Sequence, residues 1–270
     1  MNAKDSSAST DPGRPSDAAA GLQRTKGVDS ARRPLQILLE FSESTPELTV
    51  DDVLEKHDIS VPSAYRYISL LRELDLIEER EKGRFVLSPQ ILRLSRAAES
   101  TLDLRAQVQP ILNHMAEVTG ETALYLRRVG DSAICLAIAE SDHPISISFQ
   151  PGNVMPLYGG AAAKLLLSEL SPTKVAQYLK RLGPALSKTA KTKLELDLKS
   201  LRETGYAESA GEVDQGVWAS AAKVHTNGVF LGALTIAAPD YRLSAEHKGQ
   251  IADAVRTSAE TFQALLKNRT

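Results

Sequence analysis

The chain has 270 residues, 42% of them hydrophobic and 24% charged, with a formal net charge of −2 at pH 7. That length suits one large domain or two ordinary ones, and the near-neutral charge gives no global attraction to nucleic acid or an anionic membrane, so any basic patch must be local. The one cysteine, Cys135, excludes an intramolecular disulfide and any zinc site needing two or more thiolates, and no run of about 18 uncharged apolar residues is present to span a bilayer.

Residues 1–28 are rich in Ser, Ala, Asp, Pro and Gly, with little to bury. A disordered tail is expected there. The stretch also lacks the apolar core of a secretory signal, which makes the cytoplasm the expected compartment. Order is expected from about Ser30, in a short helix carrying Leu35, Ile37, Leu38, Leu39 and Phe41. Thr49 suits the N-cap of a second helix, VDDVLEKH, with Asp51 and Asp52 in the first turn, where negative charge complements the helix dipole. Asp58-Ile59-Ser60 is a tight turn. Ser60 or Val61 opens a third helix, and Pro62 sits in its first turn, where a missing N–H costs nothing. Helix, tight turn, helix is the helix-turn-helix outline.

In the third helix Ala64, Tyr67, Ile68, Leu71 and Leu74 recur at three- and four-residue spacing and form an inward stripe. Ser63, Arg66, Ser69 and Arg72 fall opposite, with Tyr65 at the border. Strands near 77–80 and 84–87 are expected to pair across Glu81-Lys82-Gly83 as a small wing carrying Arg80, Lys82 and Arg84. A helix in the major groove presents short polar or forked side chains from its N-terminal half, and arginine forks to guanine or phosphate. The candidate DNA contacts are therefore Ser60, Pro62, Ser63, Tyr65, Arg66, Ser69, Arg72, Lys82 and Arg84. A solvated amphipathic helix beside an ordinary charged turn accounts for the same residues. Between Ser30 and Ser95, nine basic side chains face twelve acidic ones. One copy should therefore bind DNA weakly, and tight binding needs two copies on one duplex.

A linker helix is expected over 90–101, then a helix over about 102–118 stopped by Gly120. ETALYLRRV, SAICLAIAE, ISISFQ, VWASAAKV and VFLGALTIAA have the pattern of strands. GGAAAKLLLSEL, PTKVAQYLKRL, KTKLELDLKSLRET and a final stretch from Ser244 to about Lys267 have the pattern of helices. An antiparallel sheet with segregated helices is an α+β domain. No catalytic constellation emerges. GxSxG and GxGxxG are absent, GGAAAK lacks the GK[ST] ending of a phosphate loop, and the five histidines are scattered. No cofactor or metal is expected.

The last hairpin sorts its residues by size. With a three-residue loop, Thr226-Asn227-Gly228, Ala219 faces Thr235. One face then carries Ala219, Ala221, Ala233, Thr235 and Ala237, and the other Trp218, Val224, Phe230, Leu234 and Ile236. A two-residue turn at Asn227-Gly228 slips the register by one and undoes the sorting. The small face is either the floor of a cavity or tightly covered by a helix. PGNVMPLYGGAAAKLLL delivers a helix start after Gly-Gly, and backbone N–H groups at such a start attract carboxylates. An organic acid on that floor, covered by Met155, Leu157 and Tyr158, is one expectation; close packing of the helix on the sheet is the other.

Taken together, SVPSAYRYISLLRELDLIE, GRFVLSP, PILNHMAEVTGETALYL, MPLYGGAAAKLLL, GYAESAGEVDQGVWASAAKV and GVFLGALTIAAP, in this order, resemble the IclR family of bacterial transcription regulators over about residues 30–267. The resemblance implies a winged helix-turn-helix at 29–89, a linker helix at 90–101 and a GAF-like effector-binding domain at 102–268. It implies a homodimer, often paired into tetramers, on palindromic operator DNA, and a small carboxylate or aromatic acid as effector. Effector contacts carried over from the family fall at Leu157, Gly160, Ala161, Ala162, Ser209, Ala219, Thr235 and Ala237, beside Met155 from the covering loop. There are departures. Ala64 replaces the Thr usual beside Ser63, and Gly160, Ala161 and Ala163 stand in a stretch usually closer to A-T-A-x-G-K. Ala219 and Ala237 offer no hydrogen bonds, which favours an aromatic or longer effector over a two- or three-carbon acid. The competing reading is a small-molecule-binding or enzymatic domain whose helix-turn-helix-like module serves protein contacts only.

Overall fold

The computed structural model describes residues 28–267 except 43, 102, 144–146 and 148, and gives no side-chain placement for 98–101 and 103. The tail expected at 1–28 therefore lies outside the described residues, save Val28. The chain divides between Ser88 and Pro89 into two compact units.

In the first unit, helix α1 (Asp29–Leu38) leads to a short strand β1 (Glu47–Thr49) and helix α2 (Val50–His57). Thr49 caps α2 as expected, and the cap is reciprocal. Its hydroxyl accepts the Asp52 N–H at 3.2 Å, while the Asp52 carboxylate accepts the Thr49 N–H at 2.7 Å. That capping box satisfies two otherwise orphaned donors. Asp58, at φ +48, turns the chain out of α2 in the left-handed region. Helix α3 (Val61–Glu73) follows, then strands β2 (Ile77–Glu81) and β3 (Arg84–Leu87). Ile37, Leu48, Val53, Ala64, Tyr67, Ile68, Leu71, Ile77 and Phe85 make one core.

Three expectations need correction in this unit. Leu74 is the C-cap of α3 and is exposed, because Asp75 takes φ +54 and the helical period ends before the stripe reaches it. Leu35 and Leu39 are also exposed, leaving Ile37 as the buried leucine-type side chain of α1. The wing turn is two residues rather than three. Glu81 pairs with Arg84 across Lys82-Gly83, and a bulge between Glu79 and Glu81 absorbs the extra residue. The short β1, not anticipated, pairs with β3 so that Leu48 lies opposite Phe85, giving a three-stranded sheet in the order β1-β3-β2.

The second unit opens with α4 (Gln90–Thr101) and α5 (Asp103–Thr119), stopped by Gly120 at φ +69. Strands β4 (Thr122–Val129), β5 (Ser132–Ala139) and β6 (Val154–Pro156) precede α6 (Ala161–Ser168), α7 (Pro172–Arg181) and α8 (Lys188–Thr204). Then come β7 (Tyr206–Ala210), β8 (Val217–Thr226), β9 (Val229–Pro239) and the long α9 (Ala245–Lys267). The six strands form one antiparallel sheet in the order β6-β5-β4-β9-β8-β7. One face packs against α6, α7 and α8, the other against α5 and α9. ISISFQ is not a strand where it is described: Ile147, Phe149 and Gln150 are irregular, and the neighbouring edge strand is β6 instead.

The β8–β9 hairpin turns at Asn227-Gly228, with both residues at positive φ. Such a two-residue turn matches the right-handed twist of the strands. The expected three-residue loop is therefore wrong, yet the sorting by size survives. A bulge between Val224 and His225 adds Leu231 to β9 and shifts the register a second time, so Ala219 pairs with Ala237 and Ala221 with Thr235. Two one-residue slips restore the face that one slip would have reversed. Below the bulge the parity stays reversed, so Phe230 packs with the small-residue face rather than with Trp218 and Ile236. The Tyr125 hydroxyl donates to the bulged Leu231 carbonyl at 3.0 Å. Next to it, Gly232 leaves no room for a side chain: a Cβ there would lie 2.5 Å from the Leu126 carbonyl oxygen.

Candidate functional sites

In the first unit the packing of Ala64, Tyr67, Ile68 and Leu71 turns the other side of α3 to solvent. Ser60, Pro62, Tyr65, Arg66, Ser69 and Arg72 are exposed, Ser63 is half-buried, and Lys82 and Arg84 are exposed on the wing strands and turn. The sequence-predicted contacts thus share one solvent-facing surface of helix and wing. Their electrostatics differ. Arg66 lies 5.3 Å from the Tyr67 ring centroid and makes no ion pair with another described residue. Arg72 pairs with Glu79 at 3.1 Å, and Arg84 with Glu47 at 3.5 Å and Glu81 at 4.0 Å. The Ser60 and Ser63 hydroxyls lie 2.9 Å apart and hydrogen-bond each other at the helix start. Beside this surface, Ser30, Ala31, Arg66, Tyr67, Leu70 and Glu73 line a shallow, largely apolar concavity of about 530 Å³.

In the second unit the residues predicted for the effector also converge. Leu157, Ala161, Ala162 and Ala237 belong to one buried cluster, with Met155 and Ala219 packed against it. Thr235 is buried and donates its hydroxyl to the Ser220 carbonyl at 2.8 Å. Helix α6 lies directly on the small-residue face, so close packing of that helix on the sheet is the arrangement observed. A polar groove of about 530 Å³ lies elsewhere, where Gln109, Asn113 and Glu117 of α5 face Glu140, Asp142 and His143.

The start of α6 carries a polar cluster on that face. Gly160, at φ +89, is its N-cap, and the two first amides point out of the helix. The Gly160 N–H donates to Glu212 Oε2 at 3.0 Å, and the Ala161 N–H to Ser209 Oγ at 3.0 Å. Lys164, one turn into the helix, donates to Glu212 Oε1 at 2.6 Å. The Lys164 side chain is only 9% exposed, and that of Glu212 34%. Sequence reading placed Gly160, Ala161 and Ser209 here but missed the roles of Glu212 and Lys164. The available signal was the loop GEVDQG, an acid-bearing turn bracketed by glycines, opposite a Gly-Gly helix start.

Cys135 is fully buried in the same cluster, and burial pushes its thiol up to about 11, so it is a protonated packing group at neutral pH. Tyr206, on the opposite face, has its hydroxyl pushed up to about 12, first by burial and then by the Glu208 carboxylate 2.6 Å away. Among the described residues no cluster of three or more His, Cys, Asp or Glu side chains has metal-binding geometry, and no helix is long and apolar enough to cross a membrane.

The model of the bacterial transcriptional regulator IclR C-terminal domain matches residues 96–264, well over half of the chain. The chain belongs to the IclR family. A curated relative, the HTH-type transcriptional regulator BhcR of Paracoccus denitrificans, is 26% identical over 255 residues, spanning 92% of this chain and 91% of BhcR. The crystal structure of an IclR family transcriptional regulator from Brucella abortus superposes with a TM-score of 0.78 at 19% identity, covering 93% of this chain and 99% of that one. An IclR homologue from Microbacterium hydrocarbonoxydans, complexed with 4-hydroxybenzoate, gives a TM-score of 0.69 at 17% identity, over 87% of this chain and 98% of that one. The family, BhcR and the Brucella protein are named as regulators of transcription.

Proposed function

We propose that this IclR family regulator binds palindromic operator DNA as a homodimer or tetramer in the cytoplasm and changes its hold on DNA when a small organic acid binds the second unit. In this reading the first unit is a winged helix-turn-helix. Helix α3 enters the major groove, with Ser63, Tyr65, Arg66 and Ser69 toward base edges and phosphates, and Lys82 and Arg84 follow the backbone. The observation that carries the reading is the shared surface of α3 and wing, exposed on one side and locked to the core on the other. Arg66, free of a carboxylate partner among the described residues, is the side chain best placed to fork to guanine.

The effector site in this reading is the start of α6 with the small-residue face beneath it: Met155, Leu157, Gly160, Ala161, Ala162, Ser209, Ala219, Thr235 and Ala237. Helix α6 covers the alanine floor, so a flat apolar body reaches it as the start of α6 gives way, and the outward-pointing amides donate to its carboxylate. Binding of 4-hydroxybenzoate by the Microbacterium homologue supports an aromatic acid as the class to test first. The coupling required through α4 and α5 is modest, roughly 1–3 kcal/mol.

The test begins with genomic fragments captured by the purified full chain at low ionic strength. Affinity for the captured operator should fall steeply with salt, because each phosphate contact releases a counterion. 4-Hydroxybenzoate, benzoate, glyoxylate and pyruvate are then titrated into the complex. Indifference to DNA at low salt, or a single monomer by light scattering in the presence of operator, overturns the proposal.

A further inference from the structure

An acid effector at the start of α6 meets an occupied position. The Glu212 carboxylate already takes the Gly160 amide and the Lys164 ammonium, one oxygen to each. Glu212 comes from the β7–β8 loop, 52 residues along the chain from Gly160. That loop, Gly211 to Gly216, is exposed throughout and has positive φ at both of its glycines. Its base is held: the Gly211 N–H donates to the Val217 carbonyl at 2.8 Å, and the Asp240 N–H to the Gly216 carbonyl at 2.6 Å. Its tip lies against the helix start. A Cβ on Gly159 would come within 3.1 Å of the Glu212 carbonyl oxygen, and one on Gly160 within 2.9 Å of a Val213 methyl. The glycine pair thus lets a strap with a fixed base and an exposed tip close on α6.

Resting on the effector reading above, we infer that Glu212 is a built-in stand-in for the effector carboxylate, and that an acid enters by exchanging with it as the strap tip lifts. The chemistry of the position makes the exchange selective. Lys164 is nine-tenths buried, so a neutral ligand that displaced Glu212 would strand an ammonium and an amide without an acceptor, which is strongly unfavourable. A carboxylate replaces one anion by another and leaves both donors satisfied. The device holds the site closed in the absence of acid and excludes uncharged analogues of the same shape. It also places the moving part, residues 211–216, directly between β7 and β8, whose alanines form the floor.

The test uses the full chain and acetate, the smallest faithful copy of the Glu212 side-chain terminus. Thermal melting of the wild type and of Glu212→Ala is followed in rising sodium acetate, with sodium chloride at equal ionic strength as the control. The variant should melt below the wild type and recover saturably with acetate, with a half-point at least about tenfold lower than any acetate effect on the wild type. Adding Lys164→Met to Glu212→Ala should abolish the recovery. Equal acetate responses in wild type and variant, or recovery that persists without Lys164, overturns the inference. Should Glu212→Ala fail to fold, Glu212→Gln is put through the same titration, since it keeps the side chain's volume while removing the charge that satisfies Lys164. Failure of the effector reading shows elsewhere, as operator binding by the wild type that no acid alters, so the two outcomes are separable.

Discussion

The predicted DNA surface of the first unit and the interior of the second handle charge differently. In the first, two arginines of the predicted DNA surface are paired in the open: Arg72 with Glu79 and Arg84 with Glu47 and Glu81, all at least 30% exposed at the side chain. In the second, three pairs are buried on at least one side: Lys164 with Glu212, Lys223 with Glu169 and Arg242 with Glu121. An exposed pair costs little to open, because water replaces the partner. A buried pair cannot open unless another charge takes the partner's place. The first arrangement suits a surface that must trade carboxylates for phosphates. The second suits a body that has to stay shut until a matching ion arrives.

The comparison breaks first if a buried pair proves dispensable. Glu121 is 1% exposed at the side chain and is held by the Nε and a terminal nitrogen of Arg242. Arg242→Met should leave that carboxylate stranded and destabilise the chain by about 3–5 kcal/mol. A lower urea midpoint at an unchanged slope is the expected readout. A loss below about 1 kcal/mol would place this pair with the exposed ones and dissolve the contrast.

Arg66→Ala is next in size. Its one ring contact is with Tyr67 at the edge of the core, and Arg66 is itself exposed, so the melting temperature should stay near that of the wild type. Operator affinity should fall by about 1–3 kcal/mol for each copy of the chain on the duplex. A filter-binding or anisotropy titration against the captured operator measures it. Retained affinity would remove α3 from the groove.

How much of this was legible in the sequence differs by element for physical reasons. The α3 stripe could be read because a buried helix face repeats every three or four residues, and it failed only at Leu74, where Asp75 ends the helix. The strand β1 could not be read. Three residues carry no period, and Glu47–Thr49 is a strand only because it pairs with β3. The β8–β9 faces were sorted correctly through an incorrect loop, because a two-residue turn and a bulge at Leu231 each shift the register by one. Phe230, on the turn side of the bulge, records the error. Ser209, Gly160 and Ala161 were reached through resemblance to the family. The Glu212 contact was not, because a carboxylate meeting an amide 52 residues away leaves no mark on local spacing.

Thr49→Ala tests the exposed side of the comparison at smaller scale. It removes the hydroxyl of the α2 capping box and should cost about 1 kcal/mol. It should also change the acid limb of stability. The Thr49 hydroxyl, followed by the Thr49 N–H, holds the Asp52 carboxyl below its ordinary value of 3.8. A carboxyl lowered on folding contributes stability that is present above that ordinary value and is lost as pH falls through the folded one. The wild type should therefore lose this contribution below about pH 4, and Thr49→Ala should show a shallower acid limb there. Equal limbs in the two proteins would mean that the cap does not set the Asp52 titration.

The smallest effect is the most informative about DNA. Glu79 performs two tasks at the wing: Oε1 accepts the Gly83 N–H at 2.8 Å, and Oε2 pairs with Arg72. Glu79→Gln keeps a carbonyl acceptor for Gly83 and removes the charge. Stability should change by less than about 0.5 kcal/mol, as for other exposed pairs. Arg72 is then free to meet a phosphate without first leaving a carboxylate, and one negative charge is gone from the surface proposed to face DNA. Binding to any duplex should tighten. If Arg72 gains a phosphate contact, the slope of log affinity against log salt should steepen by roughly 0.9 per copy of the chain. A tighter complex with an unchanged slope would mean that Glu79 acted only through repulsion and that Arg72 never reaches the backbone. A weaker complex would mean that the Arg72–Glu79 pair fixes the wing in its binding position, making the exposed pair a structural one.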